Sequence, residues 1–554
     1  MSFDPSWTPT LPGSWMQDRA HNPQPNSLIA QSLYPRGFTR GFEEACRRYG
    51  TLIDRLGMST VNGFIYHQPQ PFDMPGPDGP KSPEELGAEF GRRVGVAAHA
   101  FDARIWNDDL ALWDNELKPA SLRKHQELYR VDLPTLDTAA LRIHVERCAE
   151  HLEEMVYQHH RFNLSALVPV GDFLLQASTW TSMAPTALFD ALGGASPISS
   201  LVSPEVADAV EAIKRDPAAR SLVEESDHAD PAGRLRELCG RIPEVAAYVA
   251  ATGYRLVEGF DVTRWTFAEC PDLILGKLAA GAAAEPDAAT NRAATFAANV
   301  REMVPAEHQD HFDALLREAR TVYRLRDERG IFSDVSAFGL MRLAMLEVGR
   351  RLHAAGRLDD PSEALDASYI ELLGLVDGSE TPTATELAAR ATQRAALTLS
   401  GSPRFLGPPA HEPPSVEGLP PEMARMMSSV GFMIDGILGE LPEAVGDTTM
   451  IQGVPVGTTV YEGRAHVVHN FEELFDLEEG DVLVTGATGE AFNAMIHLVG
   501  AIVTDHGSFA CHAAIMAREL GFPAVVGTTN GSHRIPHGAR VRVDGRSGQV
   551  HVLA

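Results

Sequence analysis

His512 stands at the head of a run of good helix formers, Cys511 to Leu520. Gly507 and Ser508 lie in the turn before it and Gly521-Phe522-Pro523 after it. Small residues open the segment, and a glycine with a trailing proline closes it, as helices commonly end. The histidine therefore falls in the first helical turn, where free backbone N–H groups and the positive dipole end favour an anion. A neutral imidazole near pH 7 is a competent nucleophile, and a phosphoryl group carried there would gain about 1 kcal/mol from its position. The plain alternative is a histidine that caps a surface helix.

The elements that must position this histidine change character along the chain. Before residue 400 the pattern is mostly helical, with apolar residues at helical spacing in Ala139-Phe162, Pro204-Lys214, Ala232-Cys239, Ala288-Met303, His308-Arg326, Val335-Leu352 and Ala384-Leu399. Prolines and glycines then punctuate Gly401 to Glu422, which reads as an extended connector, followed by a short helix from Glu422 to Leu441. Strand-like runs follow at Arg464-Val468, Asp481-Thr485, Ala501-Thr504, Ala524-Gly527, Arg540-Val543 and Gln549-Leu553, with helical stretches near Glu490-Leu498 and Cys511-Leu520. The fold class expected is multidomain α+β. A large, mostly helical domain spans 1–400, a Pro-rich connector with a short helix 401–445, and a small α/β domain 446–554.

Composition bounds the function. The 554 residues give room for two to four domains. A net charge of −28 argues against nucleic acid and anionic membranes as partners. No run of about 18 apolar residues exists, and Met1 to Pro23 does not read as a signal peptide. Five scattered cysteines (Cys46, Cys148, Cys239, Cys270, Cys511) show no metal spacing and fit a reducing, cytoplasmic setting.

The run Thr504-Asp505-x-Gly507 … His512-x-Ala514-Ile515-x-Ala517-Arg518-Glu519-Leu520-Gly521-x-Pro523-Ala524-Val525-Val526-Gly527 resembles the swivelling phosphohistidine domain of the phosphoenolpyruvate (PEP)-utilising enzymes. These include PEP synthase, pyruvate phosphate dikinase and rifampicin phosphotransferase. Val482-Leu483-Val484-Thr485 and Thr488 resemble the strand and threonine that open that domain. The resemblance implies phosphoryl carriage on His512, with Gly507, Ser508, Cys511, Arg518 and Thr488 in support. Two positions depart from the pattern. Ser508 replaces a second glycine, and Cys511 replaces a Ser or Thr, so the residue before the histidine is a weaker hydrogen-bond partner.

Looser resemblances lie upstream. Trp15-Met16-Gln17-Asp18-Arg19-Ala20-His21-Asn22-Pro23-Gln24-Pro25 is similar to the Trp-x-x-Asp-x-x-His-x-Pro-x-Pro opening of acceptor-binding regions in the rifampicin phosphotransferase group. Val61-Asn62-Gly63-Phe64-Ile65-Tyr66, Gly253-Tyr254-Arg255 with Gly259-Phe260-Asp261 and Trp265, Arg342 to Leu352, and Phe405-Leu406-Gly407 also have counterparts. No stretch reads as an ATP-grasp domain or a Walker loop. With the chain stopping at Ala554, no PEP-binding barrel is expected.

The resemblance thus implies the acceptor-binding, phosphohistidine-carrying subunit of a two-component, ATP-dependent phosphotransferase, as in phenylphosphate synthase or 4-methylbenzyl phosphate synthase. A separate ATP-grasp subunit would hold ATP and Mg²⁺, with no metal or cofactor bound by this chain. The acceptor would be a small hydroxylated, aromatic compound such as a phenol or benzylic alcohol, or else an antibiotic-like alcohol. Its site needs a cation and a base: Arg255 and Arg351 are candidates for the first, and His21, His67 and Asp261 for the second. Phe64, Tyr66, Trp180, Phe260, Trp265, Phe332 and Phe338 are candidates for an apolar lining, and equally for core. His159-His160 reads as solvated or packed. The competing readings are a non-catalytic relative and a carrier fed by another phosphohistidine protein.

Overall fold

The computed structural model describes residues 6–9, 11–19, 21–75, 79–224, 230–284, 287–399, 401–409, 415–438, 450–469, 472–489, 492 and 495–553. The architecture is multidomain α+β, with helices dominant and two separate sheets. The chain packs as two compact units. The first comprises Met1–Ala166, Tyr254–Thr266 and Glu328–Ser428; the second comprises Leu167–Gly253, Phe267–Asp327 and Ser429–Ala554. Among the described residues no helix is long and apolar enough to cross a membrane.

The first unit is built on three long helices, Leu28–Tyr49, Thr138–Arg161 and Asp334–Ala354. The contact between the first two rests on glycine. A Cβ on Gly37 would meet the Glu153 carbonyl at 2.6 Å, and one on Gly41 the His160 Cβ at 2.7 Å. The pair, four residues apart on one face, lets two helix backbones approach closely. Beside them lies a sheet ordered β2-β3-β1-β4, from Trp15–Gln17 (β1), Ile53–Val61 (β2), Phe64–Pro71 (β3) and Phe405–Leu406 (β4). Strands β2 and β3 form a hairpin closed by Asn62 and Gly63, both at positive φ (51° and 82°), the backbone a two-residue turn demands. Part of the expected connector is thus strand β4, paired with β1. Residues 410–414 and 439–445 of that connector lie outside the described residues.

In the second unit an eight-stranded sheet runs β5-β12-β11-β7-β8-β9-β10-β6. Its strands are Met450–Gln452 (β5), Val454–Val456 (β6), Val460–Val468 (β7), Val482–Thr485 (β8), Ala501–Thr504 (β9), Ala524–Val526 (β10), Arg540–Asp544 (β11) and Gln549–Val552 (β12). Strands β7 to β10 are parallel neighbours. Every residue of β8, β9 and β10 is buried, as expected of parallel strands covered on both faces. The helix His512–Leu520 is the crossover from β9 to β10. Of the helical stretch expected near 490–498, residues 490, 491, 493 and 494 lie outside the described residues, and Ile496–Leu498 forms one short 3₁₀ turn.

Candidate active site

His512 lies beyond the carboxyl ends of two parallel strands, the usual ligand position in such sheets. Strand β9 ends at Thr504, and the chain turns through Gly507 into the helix that His512 begins. Gly507 takes φ +101°, and a Cβ there would stand 2.8 Å from both the Cβ and Sγ of Cys511, so only glycine fits. Asp505 pins this turn. Its Oδ1 accepts from the Ser532 N–H (2.8 Å) and Thr528 Oγ1 (3.2 Å), and its Oδ2 from the Ser532 hydroxyl. Thr488, just beyond β8, places Oγ1 2.9 Å from His512 Nδ1. His512 Nε2 is buried and has no hydrogen-bond partner among the described residues. Burial pushes the imidazole down to about 4; Asp327 opposes this and Arg326 adds to it. The ring is therefore neutral at pH 7. With Nδ1–H donating to Thr488 Oγ1, the open nucleophilic atom is Nε2.

Neighbouring side chains fix the helix mouth. Cys511 is the N-cap residue, yet its side chain makes no capping hydrogen bond, and burial pushes its thiol up. Ser508 is buried and its carbonyl accepts from the Cys511 N–H at 3.0 Å. Arg518 donates Nε to Asp190 Oδ1 (2.9 Å) and NH1 to the Phe509 carbonyl (2.6 Å), and its guanidinium lies 5.0 Å over the Phe189 ring. It thus braces the loop that carries His512. The cation whose charge reaches the imidazole is Arg326, which donates to the Ala510 carbonyl at 2.5 Å. Asp327 beside it accepts from Ser196 and Ser199 at 2.5 and 2.6 Å. Glu519 accepts from the Gly194 N–H at 2.8 Å, and Arg292 donates to the Glu519 carbonyl. Arg326, Asp327 and Asp190 carried no signal of their own in the sequence, being charged residues on helices and turns far upstream of the motif.

Residues 477–548, which hold His512 and its loop, match the mobile domain of PEP-utilising enzymes. Residues 171–327, which supply Asp190, Gly194, Arg292, Arg326 and Asp327, match the fourth domain of rifampicin phosphotransferase. These two segments are similar to parts of the PEP-utilising enzymes. It is 27% identical to a rifampicin phosphotransferase of Streptomyces sviceus over 60% of this chain and 37% of that one. It is 44% identical to a PEP synthase of Aeropyrum pernix over 19% of this chain and 13% of that one. A chondramide synthase of Chondromyces crocatus is 31% identical over 44% of this chain and 6% of its own length. The chain thus spans well under half the length of the curated relatives it matches.

In the first unit the expected acceptor residues part company. His21 and His67 meet on Asp18: its Oδ1 lies 3.2 Å from His21 Nδ1, and its Oδ2 3.2 Å from His67 Nε2. Burial alone would raise Asp18, but the two histidines hold it well below the usual carboxylate range. The His21 side chain is 41% exposed, whereas His67 and Asp18 are buried. Asp261 accepts from the Ser27 N–H at 2.7 Å and the Thr263 hydroxyl at 2.6 Å, anchoring the start of the helix Leu28–Tyr49. Arg255 is buried with its guanidinium 5.1 Å over the Phe332 ring. Arg351 bonds Glu347 and the carbonyls of Leu133 and Leu136, so it is spent on structure.

Of the candidate lining residues, Phe64 and Tyr66 pack with Trp15, Phe338 lies in the helical core, and Trp265 is exposed. Trp180, in the second unit, stacks on His308 at 5.2 Å. Phe260 is half-buried, 5.9 Å from His159 and 6.2 Å from Tyr34.

His159 and His160 are packed rather than solvated, and they belong to a buried polar cluster. His159 Nδ1 lies 2.7 Å from Asp334 Oδ2, and the His160 ring stacks on His159 at 4.4 Å. Arg329 donates to Asn163 Oδ1, so Asn163 turns its amide N–H toward His160 Nδ1 (3.2 Å). His160 is then the Nε2–H tautomer and donates to the Tyr34 hydroxyl at 3.1 Å. His159, His160 and Asp334 are metal-ligand types with ligand atoms within 4.8 Å of one another. Both nitrogens of His160 are already engaged, however, and the open atom of the trio is His159 Nε2. The signal was present: adjacent histidines on a helix facing a glycine pair, with Asp334 opening a buried helix.

Proposed function

We propose that this chain is the phosphohistidine-carrying, acceptor-binding part of an ATP-dependent phosphotransferase of the dikinase type. The observation that carries the reading is the His512 arrangement: a neutral imidazole, Nδ1 on Thr488, and an unpartnered Nε2 at a helix mouth beside Arg326. Phosphorylation at Nε2 leaves Nδ1 protonated on Thr488, so when the P–N bond breaks the imidazole departs neutral. Phosphoryl transfer otherwise depends on positioning and charge. Residues 1–400 would hold the acceptor, 401–445 connect, and 446–554 carry the phosphoryl group. A separate ATP-grasp subunit would bind ATP and Mg²⁺ and load His512, with AMP and phosphate as products. This two-component arrangement is carried over from the resemblance to phenylphosphate synthase and 4-methylbenzyl phosphate synthase. We place the protein in the cytoplasm and expect a small aromatic alcohol or phenol as acceptor.

The test uses ATP labelled at the β-phosphorus, with and without a candidate ATP-grasp protein. The reading expects acid-labile label on the wild type only with the partner, and none on His512→Ala. Label without a partner would refute the two-component arrangement. A chain that takes no label under any pairing would instead be a non-catalytic relative.

A further inference from the structure

Besides His21, His67 and Asp261, the first unit holds another candidate for the acceptor base. His159 and Asp334 form a dyad of the kind that holds an imidazole in one tautomer and aims its far nitrogen outward. Asp334 is fully buried, and its Oδ1 also takes the Val335 N–H at 3.1 Å, so the carboxylate is fixed in place. The His159 side chain keeps 11% of its surface exposed, and its Nε2 has no hydrogen-bond partner among the described residues. Burial pushes His159 down and Asp334 up, each away from its charged form; Arg329 adds to the first and opposes the second. The 2.7 Å contact holds one proton between Asp334 Oδ2 and His159 Nδ1, and the base form of the pair is the one in which that proton sits on Nδ1. Aromatic rings lie beside it: Phe260 at 5.9 Å from His159, and Tyr34 at 6.2 Å from Phe260. The partly exposed His21 acts on His159 electrostatically.

We propose that His159 is the catalytic base that deprotonates a small aromatic alcohol or phenol, with Asp334 as its positioning residue. This rests on the reading of His512 as phosphoryl carrier. As the acceptor oxygen forms its bond to phosphorus, its proton passes to His159 Nε2. The P–N bond breaks with its electron pair returning to His512 Nε2, and the proton on His159 leaves to solvent. Phe260 offers an aromatic face beside His159 for such an acceptor.

The test loads the full chain with labelled phosphoramidate, which bypasses any partner, and chases it with phenol, 4-methylphenol, benzyl alcohol or water. Discharge rates are normalised to the label held on His512. His159→Gln should discharge to the organic acceptor about 10²- to 10⁴-fold more slowly than wild type. Asp334→Asn should also be slower. Equal rates in His159→Gln and wild type would overturn the proposal, as would a loaded wild type that discharges to none of the three acceptors. A wild type that takes no label at His512 would instead sink the carrier reading beneath it. Long-range ¹⁵N spectra of the wild type, at about pH 8, need no variant. They should show His159 protonated at Nδ1, with the signal altered in Asp334→Asn; protonation at Nε2 instead would overturn the assignment.

Discussion

Thr488 Oγ1 lies 2.9 Å from His512 Nδ1, and this contact decides which imidazole nitrogen is open for chemistry. With Nδ1–H given to the threonine, Nε2 keeps its lone pair. Thr488→Val removes the acceptor and frees the tautomer and the ring orientation. Rates of label transfer to His512 should fall about 10- to 100-fold, the usual scale for a lost orienting partner. Thr488→Ser should retain most of the rate. A Val variant that loads at the wild-type rate would show that the contact is incidental.

Loading should persist in acid. Burial holds the His512 imidazole at about 4, against an ordinary 6.5. The nucleophile is thus neutral down to about pH 4, and the acid limb of the loading rate should lie near there. The same shift has a stability consequence. Between about 4 and 6.5 the unfolded chain binds the extra proton, so this group's contribution to stability falls as pH drops through that window. A rate profile breaking near 6.5 would contradict the assigned environment.

Glu519 titrates in the opposite sense. Burial pushes its carboxyl up to about 7 from 4.5, with the Gly194 N–H opposing. Between about 4.5 and 7 the folded chain binds more protons than the unfolded one, so stability declines as pH rises through that interval. Glu519→Gln keeps an oxygen for the Gly194 N–H and removes the charge. Thermal melts of this variant should lose that decline, while the wild type shows it.

Cys511 weakens the helix start. It holds the N-cap position without a capping hydrogen bond. A serine there can accept from a first-turn N–H, so Cys511→Ser should stabilise the chain by about 1 kcal/mol. It should also lengthen the lifetime of phosphorylated His512, because a hydroxyl donates to phosphate better than a thiol. A destabilised variant would mean that the buried sulfur packs better than it bonds.

Arg518 and Asp190 brace the loop. Arg518 is buried and joins Asp190 at 2.9 Å while holding the Phe509 carbonyl. Asp190→Ala should lower stability by about 1–3 kcal/mol, the cost of a lost hydrogen bond to a buried charge. Denaturant melts check this.

Legibility tracked locality. The strands at 464–468, 481–485, 501–504 and 540–543, and the helix starting at His512, declare themselves through periodicity and glycine punctuation, so the β9–turn–helix–β10 unit was readable. Helices Leu28–Tyr49 and Asn163–Thr181 were not, because Pro35 and Pro169 interrupt their pattern while tertiary packing carries them through. Strands β1, β4, β5 and β6 are two or three residues long, too short for any period to register. At the site, the residues on one loop were legible and those brought from afar were not. Arg326 reaches Ala510 across 184 positions, and Asp334 meets His159 across 175. Asp18 was in plain view within its motif, but its role as the shared partner of His21 and His67 needed the fold.

The central claim is that His512 carries a phosphoryl group on Nε2. Phosphoramidate treatment of the wild type, followed by ³¹P–¹H correlation spectroscopy and peptide mass analysis without acid, tests it most directly. The account predicts one acid-labile phosphoryl group on His512, bonded at Nε2 and absent from His512→Ala. A phosphoryl group on Nδ1, or on another residue with His512 unmodified, would contradict it.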